Sequence, residues 1–183
     1  MLFAGAMLLA QGSIVAQQPS SNSSKRQLPR GFVMKTLLLP NDEPRNYVVF
    51  VPPQYNLDQT HLWPVIVYLH GSGECGTDGF KQTSIGLPVY ISKRPAQFPF
   101  ITLIPQAHQT WFRGKEAVAV WAMMEELRRE YRIDRDRIYL TGLSMGGFAA
   151  WELSMLRPDI FAAVAPVCGA APKEFLGNIV NVP

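Results

Sequence analysis

A serine stands between glycines in the stretch Gly142-Leu143-Ser144-Met145-Gly146, and Gly147 follows directly. A hydroxyl on so tight a turn is a candidate nucleophile for acyl transfer. The flanking glycines let a strand and a helix approach where side chains would collide. Ordinary glycine-rich turns carry the same pattern, so its weight comes from its neighbours. Ile138, Tyr139 and Leu140 read as a short buried strand, and residues 148–156 read as a helix. At such a strand–turn–helix junction the Ser144 hydroxyl is pushed out above the sheet edge. The backbone N–H of Met145, at the helix start, then faces any oxyanion formed there.

A second stretch supplies complementary chemistry. Residues 64–69 form a continuous apolar run without alternation, as expected of a central strand covered on both faces. The run ends in His70-Gly71-Ser72-Gly73-Glu74-Cys75-Gly76, a glycine-rich turn that exposes backbone N–H groups. Ser72 is the expected second oxyanion donor. His70 reads as a structural residue holding this turn rather than as a catalytic base. Residues 98–105 form the next buried strand, followed by Gln106, His108 and Trp111. His108 sits on the wrong connection for the usual base. Trp111 either walls a substrate pocket or packs in the core, and Trp111 and Glu74 are the candidate pocket residues.

The positioning elements follow from periodicity. Residues 31–39 and 45–53 read as an antiparallel pair at a sheet edge, joined by a turn over 40–44. Residues 56–63 are a polar loop, and 80–91 a loop with a short helix. Residues 115–131 read as a helix with a broad apolar stripe and a charged exposed face. Asp134-Arg135-Asp136 is the expected turn into the serine's strand. Residues 148–156 end at Arg157-Pro158, 161–167 form another buried strand, 172–177 a loop, and 179–183 the start of a further strand. Alternating apolar strands and helices predict an α/β fold with a mostly parallel sheet and helices on both faces. Right-handed crossovers bring the parallel strands' C-terminal ends to one edge, where the Ser72 loop, the 106–111 loop and Ser144 converge.

Composition narrows the class. The chain has 183 residues, which suits one domain with a sizeable core, and 48% apolar against 17% charged residues is a globular balance. The net charge is +3, and the basic residues between Arg128 and Arg137 alternate with Glu130, Asp134 and Asp136. That is a solvated face, and it gives no indication of a nucleic-acid partner. Leu2 to Ala10 is apolar and Ala16 is a candidate cleavage point, so residues 1–16 read as an export signal and 17–30 as a disordered linker before the domain at 31–183. No other run approaches the ~18 apolar residues of a membrane helix, so stable membrane insertion is not expected. Cys75 and Cys168 are either a disulfide or two partly buried free thiols. His61, His70 and His108 lack ligand spacing, and neither a metal nor a cofactor is expected. Oligomeric state is not legible.

On these residues the chain resembles an α/β-hydrolase. It is most similar to the exported esterases grouped with polyhydroxybutyrate depolymerases and feruloyl or acetyl-xylan esterases. The resemblance rests on Leu69-His70-Gly71-Ser72-Gly73-Glu74, on Pro105-Gln106 with Trp111, on the block from Tyr131 to Gly147, and on Phe161 to Gly169. It covers residues 45–183. It implies Ser144 as nucleophile, the Met145 and Ser72 amides as oxyanion hole, and a small-molecule or polymer-linked ester as substrate. In this fold the triad order is Ser, acid, His. No histidine follows Ser144, and the acids that do are Glu152, Asp159 and Glu174. Of these only Glu174 follows a strand, and it has no histidine to orient. The resemblance therefore implies the N-terminal two-thirds of such a domain, with the last strands missing. Such a chain should have negligible activity and a tendency to aggregate by itself. Two other readings stay open: a serine peptidase of the prolyl-oligopeptidase type, and a non-catalytic binding protein that kept the fold and lost the triad.

Overall fold

Strand β3 (Trp63–Leu69) carries the apolar run, and every residue in it except Ile66 is buried. Such a strand needs neighbours on both sides and cover on both faces. It receives them in a six-stranded sheet of order β1-β2-β4-β3-β5-β6. The other strands are β1 (Gly31–Leu37), β2 (Arg45–Val51), β4 (Ile101–Pro105), β5 (Ile133–Leu143) and β6 (Ala163–Val167). The computed structural model describes residues 29–40, 43–112, 114–171 and 173–183. The expected export signal, nearly all of the expected linker, and part of the 40–44 turn lie outside the described residues.

The sheet is mixed as expected. β1 pairs antiparallel with β2, and β2 antiparallel with β4. β4, β3, β5 and β6 run parallel. Helices α2 (Lys115–Glu130) and α3 (Met145–Leu156) cover one face, where Met123, Leu127, Ala150 and Leu153 pack with Val49, Val67, Leu69 and Leu103. The short α1 (Leu87–Lys93) covers the other, against Val48, Phe50, Tyr68 and Ile104. The alternation of β2 between the two clusters shows why its residues are apolar at successive positions. Each fully buried aliphatic side chain, Leu103 or Ile101 for instance, contributes about 1.5–3 kcal/mol.

The strand expected to be buried at 161–167 is instead β6, the edge of the sheet, with half-buried and exposed residues, and three further segments differ from the sequence reading. The serine's strand is longer than residues 138–140, because the expected 134–136 turn is absorbed as an irregularity within β5. The pairing jumps from Trp63–Ile133 to Val65–Ile138. The Asp134 carboxylate holds this bulge by accepting the Asp136 N–H at 3.0 Å and the Arg137 Nε–H at 2.7 Å. The helix after the serine starts at Met145 rather than 148. Lys173–Ile179 is a 3-10 helix, and the strand expected at 179 is not formed. Its first contact is nevertheless present: the Val164 N–H on β6 donates to the Pro183 carbonyl at 2.8 Å.

Candidate active site

Ser144 occupies the one-residue joint between β5 and α3, with φ 53° and ψ −115°. A non-glycine residue at positive φ is strained, and the surroundings must hold it there. They do so by close backbone contact. A Cβ on Gly146 would stand 2.1 Å from the Leu69 carbonyl oxygen, and one on Gly142 would stand 2.2 Å from that of Gly146. Gly147 is pressed in the same way against the Val167 carbonyl at the end of β6, and Gly169 against Gly147. The Ser144 N–H donates to the Val167 carbonyl at 2.8 Å. The Ser144 side chain is left exposed, and among the described residues its hydroxyl has no hydrogen bond.

Pairing of β3 with β5 puts Leu69 opposite Gly142, so both chains leave the sheet side by side. A Cβ on Gly71 would lie 3.5 Å from the Leu143 carbonyl oxygen and 3.8 Å from the Ser144 Cβ. Ser72 opens a 3-10 turn, Ser72–Glu74, beside the serine. Met145 N–H is the first donor of α3, where helix N–H groups lack internal partners and the helix dipole is positive. Neither the Met145 nor the Ser72 N–H donates to another described residue. The predicted nucleophile and both predicted oxyanion donors thus lie on adjoining backbone segments.

The turn after β3 is fastened from beneath. Gln106, buried at the end of β4, accepts the Gly79 N–H at 2.7 Å and donates to the Glu74 carbonyl at 3.2 Å. Gly76 N–H donates to the Ala107 carbonyl at 3.0 Å. The Asp78 carboxylate accepts the N–H groups of Phe80 and Lys81. Burial works to raise its pKa, but those bonds prevail and hold it below the ordinary carboxylate value. Gln106 was visible in the sequence only as part of a motif. Its clamping function depends on a long-range contact that no spacing rule encodes. The hold of Val167 on Ser144 was equally invisible.

His70 is fully buried and uses both ring nitrogens: Nε2 accepts the Ala107 N–H at 3.0 Å, and Nδ1–H donates to the Gly71 carbonyl at 2.6 Å. This bonding selects the neutral tautomer, and burial holds its pKa below the ordinary imidazole value. A histidine so occupied fixes the turn and has no nitrogen free for Ser144. His108 Nδ1 lies 3.2 Å from the Glu43 carboxylate, and His61 stacks edge-on to Trp63 at the opposite end of the sheet.

The candidate pocket residues part company. Trp111 is 4% exposed and packs in the main core, so an exposed pocket wall is replaced by a core tryptophan. The reason is polar: its indole N–H needs an acceptor when buried, and finds the His70 carbonyl at 2.9 Å. Glu74 is half-buried on the turn beside Ser144. Cys75 and Cys168 are both free thiols, so the disulfide alternative is not realised. Burial first, then the charges of Glu116 and Glu74, push the Cys75 thiol up. A groove of about 570 Å³ lined by Val33, Lys35, Tyr55 and Arg132 lies at the other end of the strands from Ser144. Among the described residues no cluster of three or more His, Cys, Asp or Glu is arranged to hold a metal.

Comparison with known proteins agrees with this geometry. Residues 45–180 match the family model described as Esterase PHB depolymerase. The chain is 37% identical over 62 residues to poly(3-hydroxyalkanoate) depolymerase C of Paucimonas lemoignei, covering 33% of this chain and 15% of that protein. It is 28% identical over 132 residues to feruloyl esterase B of Neurospora crassa, covering 65% and 43%. The solved structure of a thermostable esterase superposes with a TM-score of 0.74 at 33% identity, covering 83% of this chain and 44% of that one. The chain thus spans less than half the length of these relatives. The fold is that of the α/β-hydrolase esterases, and on the match across residues 45–180 the chain belongs to the Esterase PHB depolymerase family.

Proposed function

We propose that the protein is a carboxylic-ester hydrolase that works through an acyl-enzyme on Ser144. The observation that supports this is the exposed, strained Ser144 at the head of α3, beside two backbone N–H groups without a partner among the described residues. In the reaction the Ser144 Oγ–H passes its proton to a base while Oγ bonds to the ester carbonyl carbon. The carbonyl oxygen takes up the negative charge and is held by the N–H groups of Met145 and Ser72. Collapse breaks the carbon–alkoxy bond, and the leaving oxygen takes the proton back from the base. Water then repeats the sequence in reverse and frees the acid and the serine.

The base is not among these residues. His70 has both nitrogens engaged, His108 faces Glu43, and His61 is at the far end of the sheet. Glu174 lies exposed on the 3-10 segment past β6. We therefore assign the imidazole and its acid partner to residues beyond these 183. Removal of the triad in a serine protease costs about 10⁶ in rate and leaves ~10³–10⁴ over water, so the 183 residues alone should show almost no turnover. Residues 1–16 are read as an export signal cut after Ala16, which the mass of the mature protein checks.

The experiment is turnover of p-nitrophenyl acetate by the full-length protein with and without Ser144→Ala, together with labelling by a fluorophosphonate. Ser144→Ala should remove both. Turnover that survives the substitution would overturn the assignment.

A further inference from the structure

Beside Ser144 stands a carboxylate, that of Glu74, with no partner among the described residues. The Gly71 position measures its approach: a Cβ there would lie 3.2 Å from Glu74 Oε2 and 3.8 Å from the Ser144 Cβ. Two atoms that close to one point are within about 7 Å of each other, a range over which a charge inside a protein still acts with little screening. Among the described residues no cation and no hydrogen-bond donor meets the Glu74 carboxylate. Glu130, Glu125 and Glu116, by contrast, are paired with Lys35, Arg128 and Arg45. The backbone under it is fixed, since the Glu74 N–H donates to the Gly71 carbonyl and Gln106 Nε2 donates to the Glu74 carbonyl. Its charge also reaches inward. The Tyr68 hydroxyl is raised by burial and then by Glu74, and the same carboxylate works against the lowering of His70 by burial.

A half-buried carboxylate within about 7 Å of the Ser144 Cβ is near enough to act on the charge of a substrate bound there. We propose that Glu74 is a specificity-determining residue. It favours esters that carry a cationic group or other hydrogen-bond donor a few bonds from the scissile carbonyl, and it disfavours esters that carry a carboxylate there. A cation would meet the carboxylate's charge with its own, and a donor would give it a charge-assisted hydrogen bond, as the substrate displaces water. A carboxylate would bring like charges together in a partly desolvated site. This inference rests on the Ser144 hydrolase reading.

The test uses the full-length protein and three p-nitrophenyl esters: butyrate, γ-trimethylammoniobutyrate and the hemiester of glutarate. The quantity read is the ratio of kcat/KM for the cationic ester to that for the anionic one, in which any general loss of activity cancels. Glu74→Gln should lower this ratio by about tenfold, and Glu74→Lys should lower it further, toward preference for the anionic ester. A ratio unmoved by both variants, with turnover still abolished by Ser144→Ala, overturns the assignment of Glu74 and leaves the hydrolase reading intact. Hydrolysis of all three esters that persists in Ser144→Ala overturns the hydrolase reading and this inference with it.

Discussion

The indole N–H of Trp111 donates to the carbonyl oxygen of His70 at 2.9 Å, and the two rings stand 4.9 Å apart at 51°. One residue lies on the loop after β4 and the other directly follows β3, so this contact ties the ends of two parallel strands together just below the turn that carries Ser72. It also closes the space around the His70 imidazole, whose nitrogens are already committed to Ala107 and Gly71. A proton added there would have to break a bond in a buried site.

Stability should therefore depend on the charge of His70. Its folded pKa is lowered by burial, so the unfolded chain binds the proton first as the pH falls. The contribution is present above the ordinary value of 6.5 and is lost as the pH falls from there through the folded pKa. Urea denaturation of the full-length protein should give a lower unfolding free energy at mildly acidic than at mildly alkaline pH, and His70→Gln should shrink the difference. NMR titration of His70 supplies the direct check, and an imidazole titrating at or above the ordinary value would contradict it.

Strain at the elbow makes a separate claim. Ser144→Gly relieves φ 53° and should raise stability by about 1 kcal/mol while abolishing turnover. Ser144→Ala keeps the strain and should abolish turnover without the gain. Thermal unfolding of the two variants side by side decides the matter, and equal melting temperatures would argue against stored strain.

Close backbone approach at Gly146 leaves no room for a methyl group, because the obstacle is the Leu69 carbonyl and not a movable side chain. Gly146→Ala should cost about 3 kcal/mol or more, beyond what repacking usually absorbs. Gly73→Ala, where a Cβ meets nothing within 4 Å, should stay within about 0.5 kcal/mol of the parent. Denaturant midpoints with unchanged slopes would measure both.

Beneath the site, Arg45 and Glu116 form an ion pair in which both side chains are buried, and the Glu116 carboxylate also accepts the His108 N–H at 3.4 Å. Glu116→Ala breaks this pair in a dry environment and should cost about 3–5 kcal/mol. The double replacement of Arg45→Met with Glu116→Leu should recover most of the loss, since two buried charges then give way to apolar side chains of similar volume. A double variant as unstable as Glu116→Ala would show that packing, not charge, is responsible.

How far the sequence carries depends on the range of the constraint. The elbow was legible because its demands are local: glycines at 142, 146 and 147 answer clashes that arise within a few residues of Ser144 or against the adjoining strand ends. The apolar run in β3 was legible because a strand covered on both faces must be apolar throughout. His70 was legible as a structural residue from its place at a strand end. The length of β5 was not, because its bulge is held by an Asp134 carboxylate whose partners mimic a turn in sequence.

By itself the sequence determined the α/β class, the serine at the joint and the turn expected to face it. Tertiary structure alone decided that Trp111 turns inward, that Val167 holds the Ser144 N–H, that Gln106 clamps the turn after β3 and that Glu74 stands near Ser144 with no partner for its carboxylate among the described residues. The physical reason is the same in each case. Steric limits on a tight turn are set by neighbours along the chain, whereas a buried donor or a charge takes its partner from whatever strand the sheet order brings next to it. That order places β3 between β4 and β5, joining residues that the sequence keeps far apart.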